Sequence, residues 1–473
     1  MEPSPRNKIL WTSQEIAFAT QGQVSGDFSV TGVSIDTRTL EPGDLFIALK
    51  GPKADGHDHI ESAMKAGAAG VLTEKPLADV PSIVVKDTMV ALQDLGAYSR
   101  ARAQGKIVGI TGSFGKTGSK EALKFLLSKQ APTSGTISSF NNHWGVPLTL
   151  ARLYADDAYG VFELGMNHAG ELTDLSKQVK PHLAVITTLG ETHIGNFSGL
   201  DAIAAAKAEI FEGVVAGGSV LLNRDNAFYT YFESMALKKR LNVSSFGRDA
   251  HADYRTEAIR EVEGGYAFDL VTPKTKVSCH INLLGSHWVT NAACVLAAMD
   301  LLGADIVQGA QDFKEFILPQ GRGVISQIPF KNGQITIIDE SYNAAPSSMK
   351  MALKTLGRYT PEISGRRVAI LGDMLELGDQ SIAYHQDLHH DIVENKVDVV
   401  FACGQDITSL KSVLPESVTY VQGREPEEMF QDIDAVIQPG DVLMIKGSRG
   451  QRAYRGRMYK FIDYLETLAR QKN

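Results

Sequence analysis

Continuous apolar runs alternate along this chain with stretches whose leucines, isoleucines and alanines recur at helical spacing. "KIVGIT" (106–111), "YGVFELG" (159–165) and "HLAVITTLG" (182–190) each end in glycine or a polar turn, as strands buried on both faces do. Helix-period segments separate them, so residues 104–318 are expected to form a parallel sheet with helices on its faces. Between 319 and 473 the pattern returns in "ITIIDESYN", "RRVAILGD", "DVVFACG" and "DVLMIKGSRG". Ahead of both, residues 1–103 mix short β-like runs such as "DLFIAL" (44–49) with the alanine-rich helical stretch "IESAMKAGAAG". The expectation is an α/β protein of three domains, 1–103, 104–318 and 319–473, the last two doubly wound. Gly105 marks the first boundary and the "PQGRG" turn the second.

Composition narrows the function. The 473 residues carry a formal net charge of −8 with no long block of either sign, which argues against a broad nucleic-acid surface and leaves only local cationic pockets. No stretch approaches the ~20 apolar residues that span a bilayer, and "MEPSPRNKILW" lacks an apolar leader core, so a cytoplasmic location away from membranes is expected. Cys279, Cys294 and Cys403 form neither a disulfide framework nor a metal pair.

The chemistry is concentrated near "GITGSFGKTGSKEAL" (109–123). The usual phosphate-loop spacing needs glycine at 110, where the chain has Ile110. The context is nonetheless strand, turn, helix. There Gly112 and Gly115 let backbone N–H groups face an anion, Lys116 adds a charge, and the Thr117 hydroxyl suits Mg2+. Past the next two apolar runs stand Glu163, a carboxylate that needs a cation, a lysine or a helix N-terminus beside it, and His193 in "GETHIGNF". "SGLDAIAAAKAEIFEGV" reads as a helix opening with a capping box from Ser198, with Lys207 inside its apolar stripe. A lysine so placed must snorkel, pair with a carboxylate, or lose its charge, for instance as a carbamate.

These motifs, with "SFNNHWGVPLTL", "FELGMNHAGEL", "GSHWVTNAA", "IDESYNAAPSSM", "LGDMLELGD", "IKGSRG" and the N-terminal "VSIDTRTLEPGDLFIALKGPKADGHDHI", resemble the Mur ligase family over nearly the whole chain and in the expected order. The resemblance implies an N-terminal UDP-binding domain, a central ATPase domain and a C-terminal Rossmann-like domain that closes over the nucleotide. It implies an ATP-dependent ligase that joins D-Ala-D-Ala to UDP-MurNAc-tripeptide through an acyl phosphate, in cytoplasmic peptidoglycan precursor synthesis, acting as a monomer.

Carried over by position, Thr111, Gly112, Ser113, Phe114, Gly115, Lys116 and Thr117 would bind ATP together with Asn291, Arg322 and Asp339. Thr117 and Glu163 would hold one Mg2+, and His193 and a carbamylated Lys207 a second. Lys116, Glu163, His193 and Lys207 are the implied catalytic set. Asp36, Thr37 and Arg38 would face the uridine diphosphate; Asn141, Asn142, Tyr342 and Asn343 would contact the substrates. The carboxylate of the dipeptide separately calls for a fixed cation, and Arg449 in "KGSRG" is the candidate to read it.

Two positions depart from the family pattern: Phe114 fills a loop site often small or polar, and Ala345 replaces the second asparagine of N-A-N-P. The relative that adds the third residue carries a D-N-P-R-type motif that is absent here. Folylpolyglutamate synthetase lacks the N-terminal unit. A nucleotide-regulated switch protein is the alternative from another class.

Overall fold

The computed structural model describes residues 8–51, 54–361, 365–449 and 457–470. A nine-stranded sheet organises the middle of the chain. Its strand Lys106–Thr111, third from one edge, lies between Tyr159–Glu163 and Leu183–Ile186, all parallel. The chain leaves Lys106–Thr111 to build one flank, Thr133–Gly135 and Tyr159–Glu163, and then crosses to Leu183–Ile186 and Ser219–Asn223 on the other. The reversal makes a switch point, and the crevice beyond the carboxyl ends of these strands is where such sheets bind ligands. The three strands are almost wholly buried because helices cover both faces.

The sheet is not parallel throughout, as the apolar runs had suggested. Gly265–Val271 and Lys276–Ile281 extend it antiparallel to Tyr254–Val262. Lys276–Ile281 alternates exposed and buried residues, the period of a strand covered on one face only. The covered face of this extension packs on the helices His287–Leu301 and Ile306–Asp312, in one core that includes Phe268, Cys279, Val295 and Ala310.

The C-terminal sheet has six strands in the order Val324–Phe330, Gly333–Glu340, Val442–Lys446, Arg367–Gly372, Val399–Cys403, Thr419–Gly423. Only Val324–Phe330 runs antiparallel. The N-terminal region contributes a five-stranded sheet and, separately, the pair Trp11–Thr12 with Ser29–Val30. Its helix Thr88–Arg102 packs against Gly145–Ala151 of the central region, where Gly96 allows close approach: a Cβ there would sit 3.1 Å from the Pro147 carbonyl oxygen. The cysteines are buried and unpaired. Burial pushes the Cys279 and Cys403 thiols up to about 12, which makes them inert packing groups. Among the described residues, no helix is long and apolar enough to cross a membrane.

Candidate active site

The strand Lys106–Thr111 delivers its chain end into the crevice, and the helix Lys116–Ser128 begins after Gly115. Gly112 (φ 148°) and Gly115 (φ 79°) occupy backbone conformations that side chains resist. A Cβ on Gly112 would also meet Thr187 Oγ1 at 2.0 Å, and one on Gly115 would meet Asn291 Oδ1 at 3.0 Å. The loop is clamped by its neighbour: Ser113 N–H donates to Thr188 O (2.6 Å), Ser113 Oγ to Gly190 O (2.9 Å) and Thr187 Oγ1 to Phe114 O (2.5 Å). Phe114 thus has a structural reason. Its backbone bridges to Thr188, and its ring lies so close over Gly190 that a Cβ there would be 2.6 Å away.

Lys116 curls back over the loop, donating to the carbonyls of Gly112 (2.6 Å) and Ser113 (3.2 Å). Burial lowers its pKa, Glu163 opposes that shift, and Arg322 reinforces it. The cation is therefore poised without a carboxylate hydrogen bond, over a first helical turn whose N–H groups favour an anion.

Glu163 is buried at 1% exposure. Its Oε1 accepts from Asn141 Nδ2 at 2.7 Å, whereas Oε2 has no hydrogen-bond partner among the described residues. An orphaned carboxylate oxygen is costly unless a cation compensates it. Among the described residues no lysine forms an ion pair with Glu163, and no helix N-terminus donates to Oε2. Thr117, also buried, stands at the start of the phosphate helix.

Lys207 does not snorkel: it is 3% exposed, and no hydrogen bond or ion pair of its ammonium is found among the described residues. Burial, aided by Lys116, holds its pKa well below the usual lysine value. The helix that carries it runs Leu200–Ala208 from Gly199, so the expected capping box from Ser198 does not form; Gly199 (φ 152°) makes the entry turn instead. The apolar stripe continues past the helix end, with Ile210 and Phe211 buried on a 3-10 turn.

His193 adopts a left-handed conformation (φ 60°) and directs Nδ1 at Glu376 of the C-terminal domain. The imidazole holds the Glu376 carboxyl below the usual carboxylate range. Glu163 and Thr117 offer the oxygen atoms a hard cation takes, His193 can add an imidazole nitrogen, and Lys207 would fit only as a carbamate. Among the described residues no group of three or more His, Cys, Asp and Glu side chains is placed to hold a metal, so a cation here must complete its shell with hydroxyl, water, nucleotide oxygens or a modified Lys207.

The C-terminal domain is docked over this crevice. Ser347 Oγ donates to Glu191, Gly195 N–H to Glu376 O (2.9 Å), and Arg358 to the Tyr266 hydroxyl (2.7 Å). Tyr342 lies between two arginines, with Arg322 3.9 Å and Arg449 5.4 Å from its ring centre. Arg449 also donates to the Tyr342 hydroxyl (3.0 Å), which hydrogen-bonds Ser139 of the central domain. Asp339 spends its buried carboxylate on Gly321 N–H (2.7 Å), Ser341 N–H (3.0 Å) and Ser341 Oγ (2.6 Å). It braces the turn that presents Arg322 and Tyr342. Asn343 is exposed, and its carbonyl accepts from Lys446 (2.9 Å). Ala345 starts the helix Pro346–Arg358, where the Ser348 hydroxyl accepts from Ala345 N–H (3.0 Å).

A separate cleft of about 610 Å³ opens in the N-terminal domain, lined among others by Asp36, Thr37, Arg38, His59, His143 and Trp144. Asp36 grips Arg38 through Nε (2.9 Å) and its backbone N–H (3.0 Å). The pairing lowers the Asp36 pKa and fixes the guanidinium beside the cleft. One loop joins the two sites. Within Thr136–Trp144, Ser139 meets Tyr342, Asn141 meets Glu163, and His143 and Trp144 line the cleft. Asn142 serves the loop itself, accepting from Gly145 N–H (3.0 Å).

Three side chains of the site had not been singled out in the sequence. Lys120, fully buried, ties the phosphate helix to this loop through the carbonyls of Thr136 and Ser138, both at 2.9 Å. Its position one turn after Lys116 was the available signal. Lys446, 4% exposed, holds Glu340 and Asn343, and ended an apolar strand as Glu163 does. Glu376 carried no periodic signal, since its partner is 183 positions away.

A phosphate cradle at a switch point, facing a second doubly wound domain, defines a nucleotide-binding enzyme of the α/β class. Family models place the particular kind. "Mur ligase family, catalytic domain" matches residues 29–100, "Mur ligase middle domain" 110–299 and "Mur ligase, glutamate ligase domain" 326–449. The chain belongs to the Mur ligase family, whose members are ATP-dependent ligases. It is 31% identical to the UDP-N-acetylmuramoyl-tripeptide–D-alanyl-D-alanine ligase of Rickettsia prowazekii over 97% of this chain and 100% of the relative. The Escherichia coli enzyme of the same name is 34% identical over 84% of this chain and 86% of its own length. In structure the chain resembles MurF from Acinetobacter baumannii, with TM-score 0.82, 31% identity and coverage of 97% and 99%.

Proposed function

We propose that this chain joins D-Ala-D-Ala to UDP-MurNAc-tripeptide at the expense of ATP. The observation that carries the reading is near full-length likeness to ligases of that name, across all three regions, at 31–34% identity. The site geometry supports it. With domains divided at 103/104 and 318/319, this reading puts the UDP moiety in the N-terminal cleft, ATP in the central crevice and the dipeptide at the C-terminal face.

In this reading, the Gly112–Thr117 backbone and Lys116 bind the β- and γ-phosphates, while Asn291 and Arg322 flank the nucleotide. The tripeptide carboxylate attacks the γ-phosphorus, giving an acyl phosphate and ADP. The amine of D-Ala-D-Ala then attacks the acyl carbon, and inorganic phosphate leaves. Such transfers depend on in-line positioning and charge neutralisation, which matches a site of cations, carboxylates and glycines. Two Mg2+ would neutralise phosphate charge when bound, one at Thr117 and Glu163, the other at His193 and Lys207. A lysine without its proton is the nucleophile that CO2 requires, so the burial that lowers the Lys207 pKa supports a carbamate there. Arg449, aimed by Tyr342, would take the dipeptide carboxylate.

The test is phosphate release measured with each substrate omitted in turn. Strict dependence on both UDP-MurNAc-tripeptide and D-Ala-D-Ala supports the assignment; release with ATP alone, at the same rate, would leave a slow switch ATPase.

A further inference from the structure

We infer that Glu376 is a positioning residue for His193, holding its imidazole through Nδ1 only when the C-terminal domain is docked, and so coupling cation binding at His193 to domain closure. The inference rests on the two-cation reading above.

The contact is built from backbone as well as side chains. Glu376 meets His193 Nδ1 with its carboxylate and Gly195 N–H with its carbonyl (2.9 Å). Gly195 permits this approach: a Cβ there would lie 2.7 Å from Gly378 N and 2.8 Å from Glu376 O. Both partners are left-handed, His193 at φ 60° and Glu376 at φ 63°. For a glutamate that conformation is uncommon and must be held by its surroundings. Between them Ile194 packs on apolar clusters of the central and the C-terminal domains at once.

The pair is half open to solvent, with side-chain exposures of 24% for His193 and 46% for Glu376. An ion pair so exposed contributes little to stability, which points to orientation as its role. A metal-binding imidazole is commonly fixed by a carboxylate on its other nitrogen, which sets tautomer and ring angle. With Nδ1–H on Glu376, Nε2 keeps the lone pair. Because the carboxylate comes from another domain, that tautomer is set by closure, and linkage requires the cation to favour closure by the same factor.

The test is Mn2+ binding followed by electron paramagnetic resonance, with a non-hydrolysable ATP analogue and both other substrates, and solution scattering on the same samples. Wild type is expected to bind two Mn2+. In Glu376→Ala the second site weakens about 10-fold, compaction loses its metal dependence, and the first site, unchanged, reports an intact fold. Glu376→Gln, which keeps an acceptor, should stay within about threefold of wild type on the same scale. In a His193→Ala background, Glu376→Ala should add nothing. If Glu376→Ala disrupts both sites, Glu376→Asp decides: a weakened second site alone supports the inference, and two sites of wild-type strength overturn it. Unchanged second-site affinity in Glu376→Ala overturns the inference alone. A wild-type chain that binds a single Mn2+ overturns the two-cation reading and the inference together.

Discussion

Replacing Glu163 by glutamine should raise the stability of the ligand-free protein while destroying its activity. The side chain is 1% exposed, Oε1 is satisfied by Asn141 at 2.7 Å, and Oε2 faces no donor among the described residues. Glutamine preserves the shape and the Asn141 hydrogen bond and puts a neutral amide, itself without a partner, where the charged Oε2 stood in the field of Lys116. An unsatisfied buried group costs about 1–3 kcal/mol, and more when charged. The amide keeps the neutral part of that cost and Lys116 already offsets part of the charge, so the expected gain is at most about 1 kcal/mol, or roughly 2–4 °C in the Tm of a domain of 150–250 residues. Mg2+ and nucleotide should act in the opposite sense. At a concentration of 100 Kd they stabilise wild type by about 2.7 kcal/mol; the variant should lose most of that increment and at least ~100-fold in kcat. The assay is thermal denaturation in EDTA, repeated with Mg2+ and an ATP analogue. A lowered Tm in EDTA together with an intact nucleotide increment would refute the argument that Oε2 is kept for a cation.

Lys207→Ala should abolish turnover, and short carboxylates added to the assay should restore part of it by occupying the vacated volume; full activity in the plain variant would reject the ligand role. Arg449→Ala should raise the KM for D-Ala-D-Ala at least ~10-fold, since a charge-assisted bidentate contact contributes about 1.5–3 kcal/mol, and an unchanged KM would remove its role. His385 gives a pH dependence. Its Nε2 accepts from Met374 N–H at 2.9 Å, and burial lowers its pKa. Below about pH 6.5 the unfolded chain therefore binds a proton that the native state refuses. Stability falls as the pH drops through that window, and His385→Gln should flatten the fall in denaturant titrations at pH 5.5 and 7.5. Scattering should show compaction with ATP analogue and both substrates, and a constant radius would count against closure.

Much of the site was legible because short-range chemistry marks it. Gly112, Gly115, Lys116 and Thr117 sit between an apolar run and a helical one, and the conformations at Gly112 and Gly115 are ones that only glycine takes readily. Lys207 stood out by its place in an apolar stripe, and Glu163 by ending an apolar strand; both are buried. The capping box at Ser198 was misread, because a glycine one position later can turn the chain without a side-chain acceptor. The antiparallel strands Gly265–Val271 and Lys276–Ile281 escaped notice because their alternating pattern is weaker than a continuous apolar run.

Local pattern thus determined the α/β class, the phosphate loop and the identity of the charged groups, since these follow from periodicity and from backbone conformations that few residues accept. Tertiary structure alone decided which charges are left unpaired and which meet across domains. Among the described residues Glu163 lacks a partner at Oε2, while Glu376 reaches His193 from 183 residues away. Burial and pairing depend on the three-dimensional path of distant segments, and no window of sequence contains that path.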